Sequence, residues 1–270
     1  MKIIRVFPRK TKATPTDSLV RIGVGPALFD EADEVHISVA FTWDLRSAEM
    51  LERSWKYVAP TKIGGPATGM RGEDFTPGMY LKNGYVITSR GCPNRCWFCS
   101  VPQREGELRE LPITEGWNVL DDNLLACSDQ HIKAVFKMLS RQKQPIQFTG
   151  GLEAARLKPW MAVELRRLKP KQMFFAYDTP DDREPLYEAG RILLKEGFTV
   201  ASHSLRCFVL CGYPKDTIDG AEVRMNDAML AGFTPMAMLW KDNVGRVDPE
   251  WRKFQREWAR PAIIHSRNVT

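Results

Sequence analysis

Between residues 85 and 240 the chain alternates strand-like and helix-like segments, and this alternation restricts it to βα units built on a parallel sheet. Strands are expected at 85–89, 117–120, 146–149, 172–177, 205–211 and 235–240, each a short apolar or β-branched run. Helices are expected at 129–141, 161–168, 184–196 and 218–231; in the first, Ile132, Val135, Phe136 and Leu139 share one face. The segment 101–116 has little helical periodicity, so the first helix of the series is expected to be shortened or replaced by a loop.

Residues 1–84 read as a smaller α/β layer. Segments 3–7 and 34–41 are β-prone, and 46–58 is amphipathic with Leu51, Trp55 and Val58 on one face. A short strand at 62–64 follows and ends in Gly64-Gly65-Pro66. A strand–helix–strand unit of this length implies parallel pairing. His36, inside a strand pattern, reads as structural. The stretch 70–81 is rich in Gly and Pro and reads as a linker. At the other end, 248–260 places Trp251, Phe254 and Trp258 on one helical face, suited to sealing a sheet edge. Three regions result: 1–84, 85–245 and 246–270.

Composition excludes some classes. With 43% hydrophobic and 27% charged residues, the 270-residue chain has the balance of a soluble globular protein. No apolar run approaches the ~18 residues of a membrane span, and MKIIRVFPRK lacks the apolar core of a signal peptide. A reducing, cytoplasmic setting with no membrane partner is expected. The net charge of +6 is spread over short basic clusters near residues 9–12, 141–143 and 166–171, which read as solvated surface rather than a nucleic-acid footprint.

Three of the six cysteines lie close together in Ser89-Arg90-Gly91-Cys92-Pro93-Asn94-Arg95-Cys96-Trp97-Phe98-Cys99-Ser100, spaced C-x3-C-x2-C directly after the strand expected at 85–89. Three thiolates on one loop suit a soft metal centre. Iron–sulfur clusters usually take four cysteines, so a set of three leaves one iron open to a substrate or cofactor. Zinc would want a fourth protein ligand, for which Cys127 and His131 are the candidates, and disulfides do not suit a reducing compartment.

This motif, with Phe98 before the last cysteine, resembles the signature of the radical S-adenosylmethionine (radical SAM) superfamily. The resemblance implies a [4Fe–4S] cluster on Cys92, Cys96 and Cys99 whose open iron binds SAM. It also implies reductive cleavage to methionine and a 5′-deoxyadenosyl radical, and hydrogen abstraction from an unidentified substrate (a small metabolite, a nucleotide or a nucleic acid). The implied reductant is a flavodoxin or ferredoxin. The implied fold is a (β/α)6 partial TIM barrel, here preceded by a small Rossmann-like layer. The GGPATG segment is similar to the end of the cobalamin-binding domain found in one class of the superfamily. No D-x-H-x-x-G loop is present, so a remnant sheet is expected, with a cobalamin-dependent methyltransferase or a non-enzymatic iron–sulfur or zinc protein as the alternatives.

The same resemblance points to SAM-binding residues at strand ends. Phe98 corresponds to the residue whose backbone reads adenine. Asp121 and Asp122 correspond to the group that holds the SAM amino group, with Glu153 of Gly150-Gly151-Leu152-Glu153 as the rival. Asp178 corresponds to the ribose contact, and Gly212 to the segment beside adenine. Arg156 and Arg206 are candidate carboxylate partners. Local readings compete: Asp121-Asp122-Asn123 and Asp178-Thr179-Pro180 are also good capping and turn sequences, and Cys127, Cys207 and Cys211 read as core thiols.

Overall fold

In the computed structural model, which describes residues 1–242, 245–259 and 264, the chain divides into two compact units, Met1–Thr114 and Glu115–Thr270. The division falls after Thr114 rather than at the expected junction of 84 and 85, and the cysteine loop belongs to the first unit.

The first unit is built on four parallel strands: β1 (Ile3–Phe7), β2 (Val20–Ile22), β3 (Glu34–Ser38) and β4 (Thr61–Gly64), in the order β2-β1-β3-β4. Helix α1 (Leu45–Trp55) connects β3 to β4 and buries Ala48, Leu51 and Trp55 against Ile4, Val6, Val35 and Ile37. This is the face read from the helical periodicity, although Val58 lies beyond the helix end. The Trp55 indole Nε1–H donates to the Val24 carbonyl at 3.0 Å, which satisfies the polar edge of a fully buried ring. Strand β2 was not expected: it has three residues, all half-buried, and its pairing with β1 comes from register rather than from any apolar run.

The expected strand at 85–89 is two shorter pieces, β5 (Tyr85–Val86) and β6 (Ser89–Arg90). A four-residue helix, α2 (Val101–Arg104), replaces a full first helix, in line with the weak periodicity there. Strand β7 (Arg109–Glu110) then pairs antiparallel with β6, Ser89 opposite Glu110 and Arg90 opposite Arg109.

In the second unit, β8 (Asn118–Val119), β9 (Gln147–Leu152), β10 (Gln172–Tyr177), β11 (Leu205–Cys211) and β12 (Thr234–Leu239) are all parallel, in the spatial order β12-β11-β10-β9-β8. Between successive strands run α3 (Asp129–Leu139), α4 (Pro159–Leu168), α5 (Arg183–Lys195) and α6 (Ile218–Leu230). Ser128 caps α3 by accepting from His131 N–H, Thr217 caps α6 by accepting from Gly220 N–H, and Thr179 with Asp182 forms a capping box on the 3-10 turn Pro180–Asp182 that leads into α5. Helix α7 (Pro249–Trp258) buries Phe254 and Trp258, and Gln255 Nε2 donates to the Ala237 carbonyl of β12 at 3.2 Å. Arg260, the expected end of this helix, lies outside the described residues. Both units are therefore α/β with parallel sheets, as the alternation implied, and among the described residues no helix is long and apolar enough to cross a membrane.

Candidate metal centre

The three cysteines sit on the long loop of the β6–β7 hairpin. Cys96 is exposed, while Cys92 and Cys99 are half-buried, and all six cysteines of the chain are thiols. The loop begins with a backbone constraint. Gly91 has φ +84°, and a Cβ added there would run into the backbone of Gly106 and Glu107 across the hairpin. Only glycine takes that conformation and that approach without strain. Within the loop, Cys99 N–H donates to the Cys96 carbonyl at 3.1 Å, a turn that puts the last two thiols on one short arc. Phe98 meets Trp97 edge to face, with ring centroids 5.3 Å apart.

The base of the hairpin is held by a carboxylate that the sequence did not single out. Glu105, with a side chain 1% exposed, accepts from Arg109 Nη2 at 2.9 Å, Arg104 Nε at 3.0 Å, Arg90 Nη1 at 3.4 Å and Gly72 N–H at 3.2 Å. Burial alone would push its carboxyl up. The bonds from Arg109 and Arg104, with the charge of Arg90 and the Gly72 N–H, outweigh that and hold it below the usual range. Arg109 also donates to the carbonyls of Glu105 and Gly72, at 3.0 and 2.8 Å. In sequence, a glutamate among arginines in a segment without periodicity looks like solvated charge, so only three-dimensional contacts reveal the clamp.

Among the described residues, no three His, Cys, Asp or Glu side chains are gathered closely enough to hold a metal ion. The donor set nonetheless fits a thiophilic centre: three thiols on one loop, without helix or strand between Gly91 and Ser100 to resist their convergence. Metal sites of this kind complete their geometry on binding.

In the second unit, Asp121, Asp122, Glu153, Asp178 and Gly212 fall at the carboxyl ends of successive strands, whereas Arg206 lies at the amino end of β11, away from the end expected of a SAM-carboxylate partner. The two rivals for one role are neighbours. Strand β9 runs through Gly150-Gly151, where it had been expected to stop, and its register against β10 shifts there as a bulge. Gly151 N–H donates to the Asp121 carbonyl at 3.0 Å, and a Cβ on Gly150 would collide with the Leu120–Asp121 backbone. Asn123 Nδ2 donates to Glu153 Oε2 at 2.6 Å, and Arg156 Nε donates to the same oxygen at 2.5 Å. Asp121 is buried and Asp122 half-buried. Asp121-Asp122-Asn123 and Gly150–Glu153 thus form one cluster, with Arg156 paired to Glu153.

Asp178, at the end of β10, is pushed up to about 7, first by burial and then by the charge of Asp182, against the opposing Leu210 N–H and Arg224. Its own N–H donates to Asp182 Oδ2 at 2.9 Å, so the capping reading of this turn holds beside any other. A carboxyl raised in the folded state binds its proton more tightly there than in the unfolded chain. The contribution of Asp178 to stability is therefore fully present below the ordinary carboxylate pKa of about 3.9 and is lost as pH rises through about 7. Asp178→Asn is expected to flatten that decline and raise the urea midpoint above neutrality; an unchanged pH profile would refute the assignment.

Gly212, with φ +73°, lies under the Trp251 ring and donates its N–H to Asp216 Oδ2 at 2.8 Å. Asp216 in turn forms a buried ion pair with Arg224 at 2.9 Å, another contact that local pattern does not disclose. Burial pulls the Arg206 guanidinium down. Cys127, Cys207 and Cys211 are buried; burial pushes Cys207 well up and Cys211 up to about 12, so neither is a thiolate near neutrality. His131 is buried on α3. His36 has both ring nitrogens engaged, with Tyr80 Oη at 2.6 Å and Glu34 Oε2 at 2.7 Å. No known family model matches the chain, and no curated protein matches it.

Proposed function

We propose that the chain is a radical SAM enzyme, with Cys92, Cys96 and Cys99 holding a [4Fe–4S] cluster. The observation that carries this reading is the cysteine loop itself: three thiols spaced C-x3-C-x2-C on one hairpin, entered through a glycine and braced at its base by Glu105. Three protein ligands leave a fourth coordination position for SAM. A cluster bound there would supply one electron to SAM, so that the sulfur–C5′ bond breaks to give methionine and a 5′-deoxyadenosyl radical.

The chain's own residues supply binding and orientation. The hairpin delivers the thiolates, and the Arg–Glu clamp keeps its two arms together. In the second unit, the carboxylates of Asp121, Asp122 and Glu153, carried on two segments joined by backbone and Asn123 contacts, are acceptors suited to an ammonium group. Asp178 offers a carboxyl suited to hydroxyls. The finer architecture that goes with this reading is a (β/α)6 partial barrel beginning at 85–89, supported by the run of parallel strands and intervening helices. The electron donor would be a flavodoxin or ferredoxin. His36, held by Tyr80 and Glu34, is engaged in the protein's own structure, which favours an enzyme without cobalamin over a cobalamin-dependent methyltransferase.

The test is reductive cleavage of SAM by anaerobically reconstituted protein. Formation of 5′-deoxyadenosine on adding dithionite supports the reading; a protein that retains zinc and no iron overturns it.

A further inference from the structure

The first unit contains a cavity of about 600 Å³ that the cysteine chemistry does not use. It opens where β1, β3 and β4 end, with Phe7, Ile37 and Ile63 in its lining. In the order β2-β1-β3-β4, the chain leaves β1 toward one side and returns on the other, so the winding reverses between β1 and β3. Open parallel sheets bind ligands in the crevice beyond their carboxyl ends at such a reversal. The volume is that of a small-molecule site, which runs from about 300 to 1,000 Å³.

The stretch 70–81, a linker by sequence, supplies much of the remaining lining and is tied down at both ends. Gly72 is held by Glu105 and Arg109. The Gly78 and Met79 carbonyls accept from the buried Arg5 Nη1 at 2.9 and 3.0 Å. Tyr80 lines the cavity with its hydroxyl on His36 Nδ1 and its ring stacked on the imidazole, centroids 6.1 Å apart.

The lining chemistry narrows the ligand. Among its charged groups, Arg9 is engaged by Asp44, Lys62 by Glu34, and Arg90 and Arg104 by Glu105, while Arg71, Glu73 and Asp74 on the 70–81 stretch add one cation and two carboxylates. Apolar side chains and an aromatic ring are joined by the hydroxyls of Thr11, Ser38 and Thr76. An apolar, aromatic lining with hydroxyls and compensated charge suits a neutral planar molecule that carries hydroxyl groups of its own. We propose that this cavity binds a free nucleoside. The proposal stands independently of the cluster, because the site lies in residues 7–105 and uses none of the three cysteines.

Gly64 makes the test clean. It lines the cavity at the end of β4, and a Cβ added there meets no atom within 4 Å, so a methyl is accommodated in open space at the cavity wall. Uridine, cytidine and guanosine are titrated by calorimetry into the full chain without cluster or SAM. Adenosine is left out because it would also suit a SAM site. At least one of the three is expected to bind. That affinity should fall about threefold in Gly64→Ala and at least tenfold in Gly64→Leu, at unchanged thermal midpoint. Phe75→Ala, which trims the lining supplied by the 70–81 stretch, should also weaken binding and guards against misfolding of the leucine variant. No binding by the wild type, equal affinity in Gly64→Leu and Phe75→Ala, or a 5′-monophosphate held at least about tenfold tighter than its nucleoside would each overturn the proposal.

Discussion

Cys96→Ala is expected to abolish iron retention while leaving the apoprotein folded. Wild-type chain reconstituted without oxygen should hold about four irons and four sulfides, the content of a [4Fe–4S] centre. Two cysteines cannot retain that cluster against chelator, so the variant should fall below about one iron per chain. Cys96 is exposed, and its replacement should cost the unreconstituted fold no more than about 0.5 kcal/mol. The informative control is Cys211→Ala. That thiol is buried in β11, so its loss should destabilise the chain and leave the iron in place. The opposite pattern, with iron lost from Cys211→Ala and kept by Cys96→Ala, would remove the hairpin as the metal centre.

The second large effect is expected at Glu105. Truncation to alanine leaves Arg90, Arg104 and Arg109 around a site without its carboxylate. Breaking a buried pair typically costs 3–5 kcal/mol; the three arginines here keep 12–21% of their side chains in solvent, which reduces the expected loss to about 2–3 kcal/mol. The pH dependence has a definite sign. A carboxylate held below its ordinary value contributes stability in full above the unfolded pKa of about 4.3, and that contribution is lost as pH falls through the lower folded value. Glu105→Gln should therefore unfold at lower urea than wild type at neutrality and converge with it in acid. Parallel profiles across the range would show that Glu105 does not carry the clamp. Because Gly72 loses its acceptor altogether in Glu105→Ala, proteolysis within residues 70–76 should quicken in that variant.

What could be read from the sequence, and what could not, divides by the range of the interaction. Strands β10 and β11 have the bounds expected from it, because QMFFAY and LRCFVLC are mostly apolar runs, broken only by Gln172 and Arg206 and closed by a turn. Helix α1 shows its buried face in the spacing of Leu51 and Trp55. Strand β9 was expected to end at its glycines, since local pattern cannot tell a strand stop from a bulge packed on a neighbouring backbone. Segment 70–81 looked like a linker because its composition is that of a loop; its anchors, Arg5, His36 and Glu105, lie far from it in sequence.

The candidate site divides in the same way. The thiol spacing is local and is visible at once. The bonds from Gly72 and Arg90 to Glu105 and the joining of Asn123 to Glu153 link segments 15 to 33 residues apart, and the Asp216–Arg224 pair ties a turn to α6; none has a local signature.

The central claim is that the hairpin holds a cluster that opens SAM, and the most direct measurement is the yield of 5′-deoxyadenosine. Wild-type, Cys92→Ala, Cys96→Ala and Cys99→Ala proteins are reconstituted together, reduced with dithionite in the presence of SAM, and assayed side by side. Deoxyadenosine from the wild type, lost to background in all three variants, is the expected result. Deoxyadenosine at wild-type level in any of the three, or iron-loaded wild type that neither shifts its EPR signal with SAM nor cleaves it, would contradict the account.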